Sequence, residues 1–307
     1  MNILIIGGNG FIGTHLADTL LSHNHKVRIL DVEKEKFREP NKAIDYRISS
    51  LFNSFDLYES MMGIDVVFHL ASTTVPSTSG INYSVDVQNN VISTINIIDC
   101  AIRQKIRKLV YFSSGGAIYG IPESLPIKEE DPKKPISSYG IIKYTNEMYV
   151  ELLCRQNNLD YLIVRPSNPY GPRQGHFIAQ GVISTFLRQS IGNDPFNVFG
   201  DGNGKKDYIY IQDLVDAILG LLDRDALGIY NIGSGCGYSV NEIIGVIDRV
   251  TGKKNEVVRT PGKKYDVQNY LLDTAKVEAT LGRQIARTPL ETGIRMTYDW
   301  LVAQYGK

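Results

Sequence analysis

The chain has 307 residues, 43% of them apolar, and sets 33 lysines and arginines against 33 aspartates and glutamates. That length is more than one hydrophobic core usually spans, so one large or two intimate domains are expected. Zero net charge argues against nucleic acid or a polybasic membrane contact as partner.

The opening "MNILIIGGNG" is apolar but has no basic stretch, and its β-branched run stops at glycine. It reads as a buried strand rather than a signal peptide. Residues 10–23 carry apolar positions at helical spacing, and "KVRILD" (26–31) and "DVVFHLA" (65–71) are further strands. The stretch 32–64 is the least patterned, with only "DYRIS" (45–49) strand-like. A helix over 89–104, the strand "KLVYFSS" (108–114), a helix over about 137–157 and the strand "DYLIVRP" (160–166) complete the first half. Strand–helix alternation with wholly apolar strands predicts a parallel sheet covered on both faces. Past 166, Gly- and Pro-rich loops such as "RPSNPYGPRQGH" and "FGDGNGKKDY" separate helices expected near 175–190, 212–223, 239–251 and 288–304. No long polar linker intervenes, so the expected site is a cleft between two domains.

No apolar run approaches the ~18 residues of a membrane-spanning helix. Cys100, Cys154 and Cys236 are odd in number and far apart, with no CxxC pair and no clustered histidines. They read as reduced cysteines of a cytoplasmic protein rather than a disulfide frame or a metal site.

"GGNGFIG" places Gly7, Gly10 and Gly13 at G-x-x-G-x-x-G spacing, after a strand and opening a helix. Glycines there permit the tight turn and let a pyrophosphate approach the backbone, where the helix N-terminus offers N–H groups and positive partial charge. Asp31 ends the next strand, eighteen residues after Gly13. Its carboxylate suits ribose hydroxyls and repels a 2′-phosphate, which favours NAD; Lys34, Lys36 and Arg38 nearby keep NADP open. Tyr139 and Lys143 stand four apart and share one face of the expected helix. A phenol near pKa ~10 is a poor base, and an ammonium beside it favours the phenolate. The pair is a candidate general base for an alcohol whose carbon gives hydride to NAD.

Taken together, "GGNGFIG", "DVVFHLAS", "NVIST", "FSSGGAIYG", the Tyr139/Lys143 pair, "RPSNPYGPRQ", "GDGNGKKDYIYIQDLVDAI" and "NIGSG" resemble the extended short-chain dehydrogenases, within the NAD-dependent sugar epimerase/dehydratase group. The resemblance covers nearly the whole chain. It implies an α/β fold with a Rossmann-type doubly wound parallel sheet over 1–166, return segments near 207–230, and a smaller, interleaved α/β nucleotide-sugar domain over 167–307. It implies bound NAD held by Gly7, Gly10, Phe11, Ile12, Gly13, Asp31, Leu70, Ala71, Ser72, Asn90, Ser113, Tyr139, Lys143 and Pro166. Relatives often have Gly-Asp after the third strand, near adenine; here that place reads Ser49-Ser50-Leu51, so a serine or the backbone there is expected to take the contact, with Leu51 among the cofactor residues.

Relatives carry a catalytic Ser or Thr four residues before the Tyr matched by Tyr119, but that place is Gly115. Ser114, one residue earlier, is the expected substitute if the following glycines let the backbone bend. Gly116 and Ala117 occupy positions where dehydratases and decarboxylases of the group carry acids, so elimination and decarboxylation are disfavoured. The implied reaction is C4 epimerisation of a nucleotide diphosphate sugar, UDP-glucose/UDP-galactose first, through a 4-keto intermediate. Asn168, Arg173, Lys206 and Lys263 are the expected diphosphate anchors, the two lysines standing where relatives use arginine. Lysine keeps the charge but loses the bidentate fork. Tyr270 aligns with a position whose bulk excludes N-acetyl groups. His69 reads as a packed structural histidine, and His176 as a loop residue within reach of ligand. The helices 89–104 and 137–157 imply a homodimer. The competing readings are a nucleotide-sugar reductase using NADPH, and a catalytically impaired nucleotide-sugar-binding protein.

Overall fold

The computed structural model describes residues 1–74, 79–175, 181–262 and 267–305. The first part of the chain runs β1 (Asn2–Ile6), α1 (Phe11–Ser22), β2 (Lys26–Asp31), β3 (Ile44–Ile48), α2 (Ser54–Met61), β4 (Val66–His69), α3 (Tyr83–Asp86), a π-helical turn (Val87–Ile92), α4 (Ser93–Arg103), β5 (Lys108–Phe112), α5 (Ser138–Gln156) and β6 (Asp160–Pro166). It continues with β7 (Asn168–Tyr170), α6 (Val182–Gly192), β8 (Phe196–Phe199), β9 (Lys205–Tyr210), α7 (Ile211–Asp223), β10 (Gly228–Ile232), β11 (Gly237–Ser239), α8 (Val240–Thr251), β12 (Val257–Thr260), α9 (Ala275–Leu281) and α10 (Leu290–Tyr305).

Among the described residues the main sheet has seven strands in the order β10-β6-β5-β4-β1-β2-β3. The pairings from β6 through to β3 are parallel. This is the α/β doubly wound arrangement, whose order reverses between β1 and β4. Strands buried on both faces must be apolar along their whole length. Ile3, Leu4, Ile5 and Ile6 are accordingly fully buried, as are Leu109 and Val110 of β5. One core cluster joins Leu4, Ile6, Val67, Leu109 and Ile163 of the sheet to Ile97, Ile98 and Val150 of the covering helices.

The expected helix over 89–104 starts within the π turn and continues as α4, with α3 preceding both, so the helix is widened where Asn90 sits. The sequence pattern left α2 unassigned, although Asn53 caps it by accepting the Asp56 N–H.

The chain divides into two compact units, 1–120 with 129–166 and 218–230, and 121–128 with 167–217 and 231–307. The excursion 121–128 falls in the second unit rather than within a continuous 1–166. Ile127 is the reason: it is buried, its N–H donates to the Leu271 carbonyl at 2.7 Å, and its carbonyl accepts Asp273 N–H at 2.7 Å and Asn231 Nδ2 at 3.0 Å. The second unit has a three-stranded sheet β11-β9-β7, a β12-β8 pair, and a stacked Phe186–Phe196 pair with centroids 4.5 Å apart.

Leu109 lies at the centre of the first unit's core, so Leu109→Ala is expected to cost about 2–5 kcal/mol in urea unfolding. A loss below about 1 kcal/mol would contradict this placement of the core.

Candidate active site

The glycine loop ends β1 at the point where the strand order reverses. A Cβ on Gly7, which has φ +79°, would lie 2.7 Å from the Ala71 nitrogen; one on Gly13 would lie 2.6 Å from the Gly8 Cα. These two glycines are therefore required by the protein's own packing, β1 against the loop after β4 and α1 against β1. Gly10 differs: a Cβ there would meet only the Gly7 carbonyl, at 3.5 Å. Nothing in the protein needs that bare surface. Gly10 is also the N-cap of α1, with no side-chain cap and no acidic residue in the first turn. The N–H groups of Phe11, Ile12 and Gly13 thus stand uncapped behind a bare backbone, a cradle suited to a pyrophosphate.

Asp31 stands at the carboxyl end of β2. Its carboxylate accepts Asn9 N–H at 2.9 Å and Glu33 N–H at 3.2 Å, and burial still holds its pKa above the usual value. A carboxylate with spare acceptor capacity fits a ribose diol. Of the cations near a 2′-phosphate position, Arg38 is bound to Asp18 at 2.7 Å and Lys36 is paired with Glu33. Leu70 and Ala71 follow β4 and donate to the Ile6 carbonyl at 2.9 and 3.1 Å. Asn90 accepts Thr73 N–H at 2.9 Å and the Ser72 hydroxyl at 3.4 Å, and donates to Thr73 Oγ1 at 3.0 Å. The π turn thereby pins the loop that carries Ser72. Leu51 packs on the core, while the Ser49 hydroxyl is committed to Asp56, an acid that no motif of the sequence marks. These residues fit a dinucleotide.

Tyr139 and Lys143 lie one turn apart on α5, whose first residue follows the Ser137 cap. The Ser114 hydroxyl hydrogen-bonds the Tyr139 phenol. A Cβ on Gly140 would lie 2.3 Å from the Ala117 carbonyl, so the absent side chain is what lets α5 close on the 113–117 segment. Lys143 is 5% exposed and donates to the Phe112 carbonyl at 2.8 Å; its Nζ stands 5.8 Å from the Tyr139 ring centroid and 5.3 Å from that of Tyr111. Burial pushes Tyr139 up to about 12, against a smaller opposing effect of Ser114, and so outweighs the lowering expected from the ammonium. Burial likewise brings Lys143 down to about 8, opposed by Glu147. Ser113 is buried beside them, its N–H on the Val164 carbonyl at 2.9 Å and its hydroxyl without a hydrogen-bond partner among the described residues. Pro166 is buried at the end of β6 and its carbonyl accepts Gly115 N–H at 2.8 Å. His69 is buried against Tyr111 with Nε2 2.9 Å from Thr94 Oγ1, and burial brings it down to about 3, so it is a neutral packing residue.

In the second unit, Asp207 organises the residues proposed for substrate. It is fully buried, accepts Ser234 N–H and Oγ–H at 2.8 Å each and Leu272 N–H at 3.3 Å, and burial raises its pKa. Its carbonyl accepts Asn168 Nδ2 at 3.0 Å, and the Tyr270 hydroxyl approaches it at 3.5 Å. Lys206, one residue before, is bridged through its backbone to Tyr270, which is 4% exposed. Arg173 takes a positive φ of 70° in the turn after β7. Lys263 and His176 lie outside the described residues. Among the described residues, no helix is long and apolar enough to cross a membrane, and no three His, Cys, Asp or Glu side chains are grouped to hold a metal.

The sheet order, the bare loop at its switch point and the Ser–Tyr–Lys group define a dinucleotide-dependent α/β enzyme. Residues 3–233 match the model of the NAD dependent epimerase/dehydratase family. The chain is 30% identical over 308 residues to the UDP-glucose 4-epimerase of Mycolicibacterium smegmatis, covering 98% of both. UDP-glucose 4-epimerase from Thermotoga maritima, solved with UDP-glucose, matches at 32% identity and TM-score 0.93 over 99% of both chains. UDP-N-acetylglucosamine 4-epimerase from Methanobrevibacter ruminantium matches at 26% identity and TM-score 0.90, over 99% of this chain and 98% of that one. The chain belongs to the NAD dependent epimerase/dehydratase family, and its cofactor is NAD.

The two kinds of glycine separate experimentally. Gly10→Ala is expected to fold with unchanged thermal stability yet to purify with little NAD, whereas Gly13→Ala loses stability as well. Equal NAD content in Gly10→Ala and the parent would show that the bare surface is not the cradle.

Proposed function

We propose that this chain is a nucleotide-sugar 4-epimerase that interconverts UDP-glucose and UDP-galactose. The observation that carries the reading is the convergence of Ser114, Tyr139 and Lys143 beside a segment, Gly115–Gly116–Ala117, that has no carboxyl group. Such a group can move a proton on and off a sugar hydroxyl but lacks the acid that elimination or decarboxylation needs. The likeness to epimerases named for UDP-glucose supports the same reading.

The bare loop at Gly7, Gly10 and Gly13 and the Asp31 carboxylate would hold NAD, which would supply a hydride acceptor and donor for the sugar C4. Tyr139 takes the proton of the 4-hydroxyl as phenolate and later gives it back. Lys143 holds positive charge within reach of the ring and favours that phenolate. Ser114 hydrogen-bonds the phenol oxygen and keeps it aimed. Burial raises the phenol's pKa, so the phenolate draws on the positive charge of Lys143 and on the Ser114 hydroxyl. In the second unit we assign Asn168, Arg173, Lys206 and Lys263 to the diphosphate. Tyr270, bulky and fixed at the Asp207 carbonyl, is assigned to exclude an N-acetyl group, which favours the glucose/galactose pair. We further propose a homodimer through α4 and α5. Ile141, Met148, Tyr149 and Leu152 form an exposed apolar stripe on α5, and Ile92 stands exposed before α4.

Purified protein without added cofactor is expected to interconvert UDP-glucose and UDP-galactose, and not their N-acetylated counterparts, by chromatography of products. Tyr139→Phe should lower kcat about 100- to 10,000-fold. The rate should fall as pH rises above about 8, where Lys143 loses its charge, and fall also toward acid pH, where Tyr139 is held protonated. Turnover of the N-acetylated pair would remove the Tyr270 assignment, and unchanged turnover in Tyr139→Phe would remove the mechanism. Sedimentation should give twice the chain mass; a value near 34.3 kDa would contradict the dimer.

A further inference from the structure

Three consecutive residues at the end of β6 hold both halves of the Ser–Tyr–Lys group. The Val164 carbonyl accepts Ser113 N–H at 2.9 Å, and the Pro166 carbonyl accepts Gly115 N–H at 2.8 Å. The backbone on either side of Ser114 is thus fixed by β6. Arg165 stands between these two contacts. It is 1% exposed, and its guanidinium reaches α5: Nε donates to Glu147 Oε1 at 2.9 Å and Nη2 to Glu147 Oε2 at 2.7 Å. Its remaining nitrogen, Nη1, donates to the Tyr119 hydroxyl at 2.7 Å and the Glu129 carbonyl at 2.9 Å.

Glu147 is itself 1% exposed and lies on the α5 face that carries Tyr139 and Lys143, eight and four residues earlier. A bidentate fork fixes both the distance and the rotation of the helix that bears it. An ion pair this buried is a weak source of net stability, because desolvation offsets the attraction. Its geometric consequence is larger: β6 sets the Ser114 backbone with its main chain and the rotation of the Tyr139 helix with one side chain.

We propose that Arg165 and Glu147 are positioning residues for the reaction, the fork holding α5 in the rotation that keeps Tyr139 on Ser114 and the Glu147 carboxylate standing one turn beyond Lys143 on the same face. This rests on the epimerase reading for its kinetic test but not for its structural one. The groups facing Lys143 are Tyr139 and Glu147 on α5, Tyr111 on β5 and His69 on β4. His69 is neutral and Tyr111 is pushed well above its ordinary value by burial, so Glu147 is the negative charge among them. Removing that charge lowers the pH at which the ammonium is lost.

The test uses the full chain with its bound NAD and two variants. Arg165→Lys keeps the cation and loses the fork; Glu147→Gln loses the charge. Both are expected to lower kcat for UDP-glucose about ten- to a hundredfold with KM within about threefold. Glu147→Gln alone should move the alkaline limb of the kcat profile to lower pH. A crystal structure of Arg165→Lys should show Tyr139 withdrawn from hydrogen-bond distance of Ser114. If Glu147→Gln does not fold, Arg165→Lys carries the test through its kcat and its structure. A folded Arg165→Lys with parental kcat, or with Tyr139 still hydrogen-bonded to Ser114, overturns the proposal. So does an alkaline limb in a folded Glu147→Gln that coincides with the parent's. A parent inactive on UDP-glucose, together with a Tyr139 withdrawn from Ser114 in Arg165→Lys, fails the functional reading and upholds this one.

Discussion

A primary amine held in the interior is the constraint on which the first unit turns. Lys143 has almost no solvent, and the Phe112 carbonyl is its hydrogen-bond acceptor. A buried ammonium is tolerated only where dipoles and rings replace water, and here two phenol rings and a strand-end carbonyl do so. The position of that carbonyl follows from β5, which lies between β4 and β6 in parallel register. The parallel sheet therefore locates the lysine, and α5 then locates the tyrosine one turn away. Burial moves the two groups in opposite directions, lysine down and phenol up.

The second unit uses a buried carboxylate in a similar structural way. Asp207 gathers two backbone N–H groups and a serine hydroxyl, and its carbonyl meets Asn168 and Tyr270. A Cβ on Gly233 would lie 2.3 Å from this carboxylate, so a glycine is required beside it. Asn168 and Tyr270, two of the residues proposed for substrate, thus meet at the carbonyl of one buried acid. Replacing arginine with lysine at 206 leaves this frame in place while changing the fork it would present.

Much of the first unit was legible because strands buried on both faces cannot hide: "ILII" and "LVYF" are continuous apolar runs within β1 and β5, and "KVRILD" and "DYLIVRP" coincide with β2 and β6. The glycine loop was legible through context, a strand before it and a helix after it. Helix α2 was not, because Phe55 and Tyr58 stand exposed on it and blur the period; its cap, Asn53 with Asp56, was the readable signal. The π turn left no trace in the spacing. The pKa of Tyr139 was not legible because a helix spacing shows which groups are near but not how much water is left. Asp207, Arg165 and Glu147 stayed hidden for a related reason. Each is a charged residue in a run that reads as surface or strand end, and only burial reveals what it holds. Glu147 had a faint signal, standing one more turn along the face of Tyr139 and Lys143.

The central claim is that one proton-moving group serves a hydride that leaves and returns to the same carbon. The most direct measurement uses UDP-glucose carrying deuterium at C4, incubated with the protein in ordinary water. The UDP-galactose formed is then analysed for label by mass spectrometry and NMR. Removal and return of hydride within one site predicts that the deuterium is kept at C4. Loss of the deuterium to solvent would contradict the account, because it would require proton exchange at that carbon.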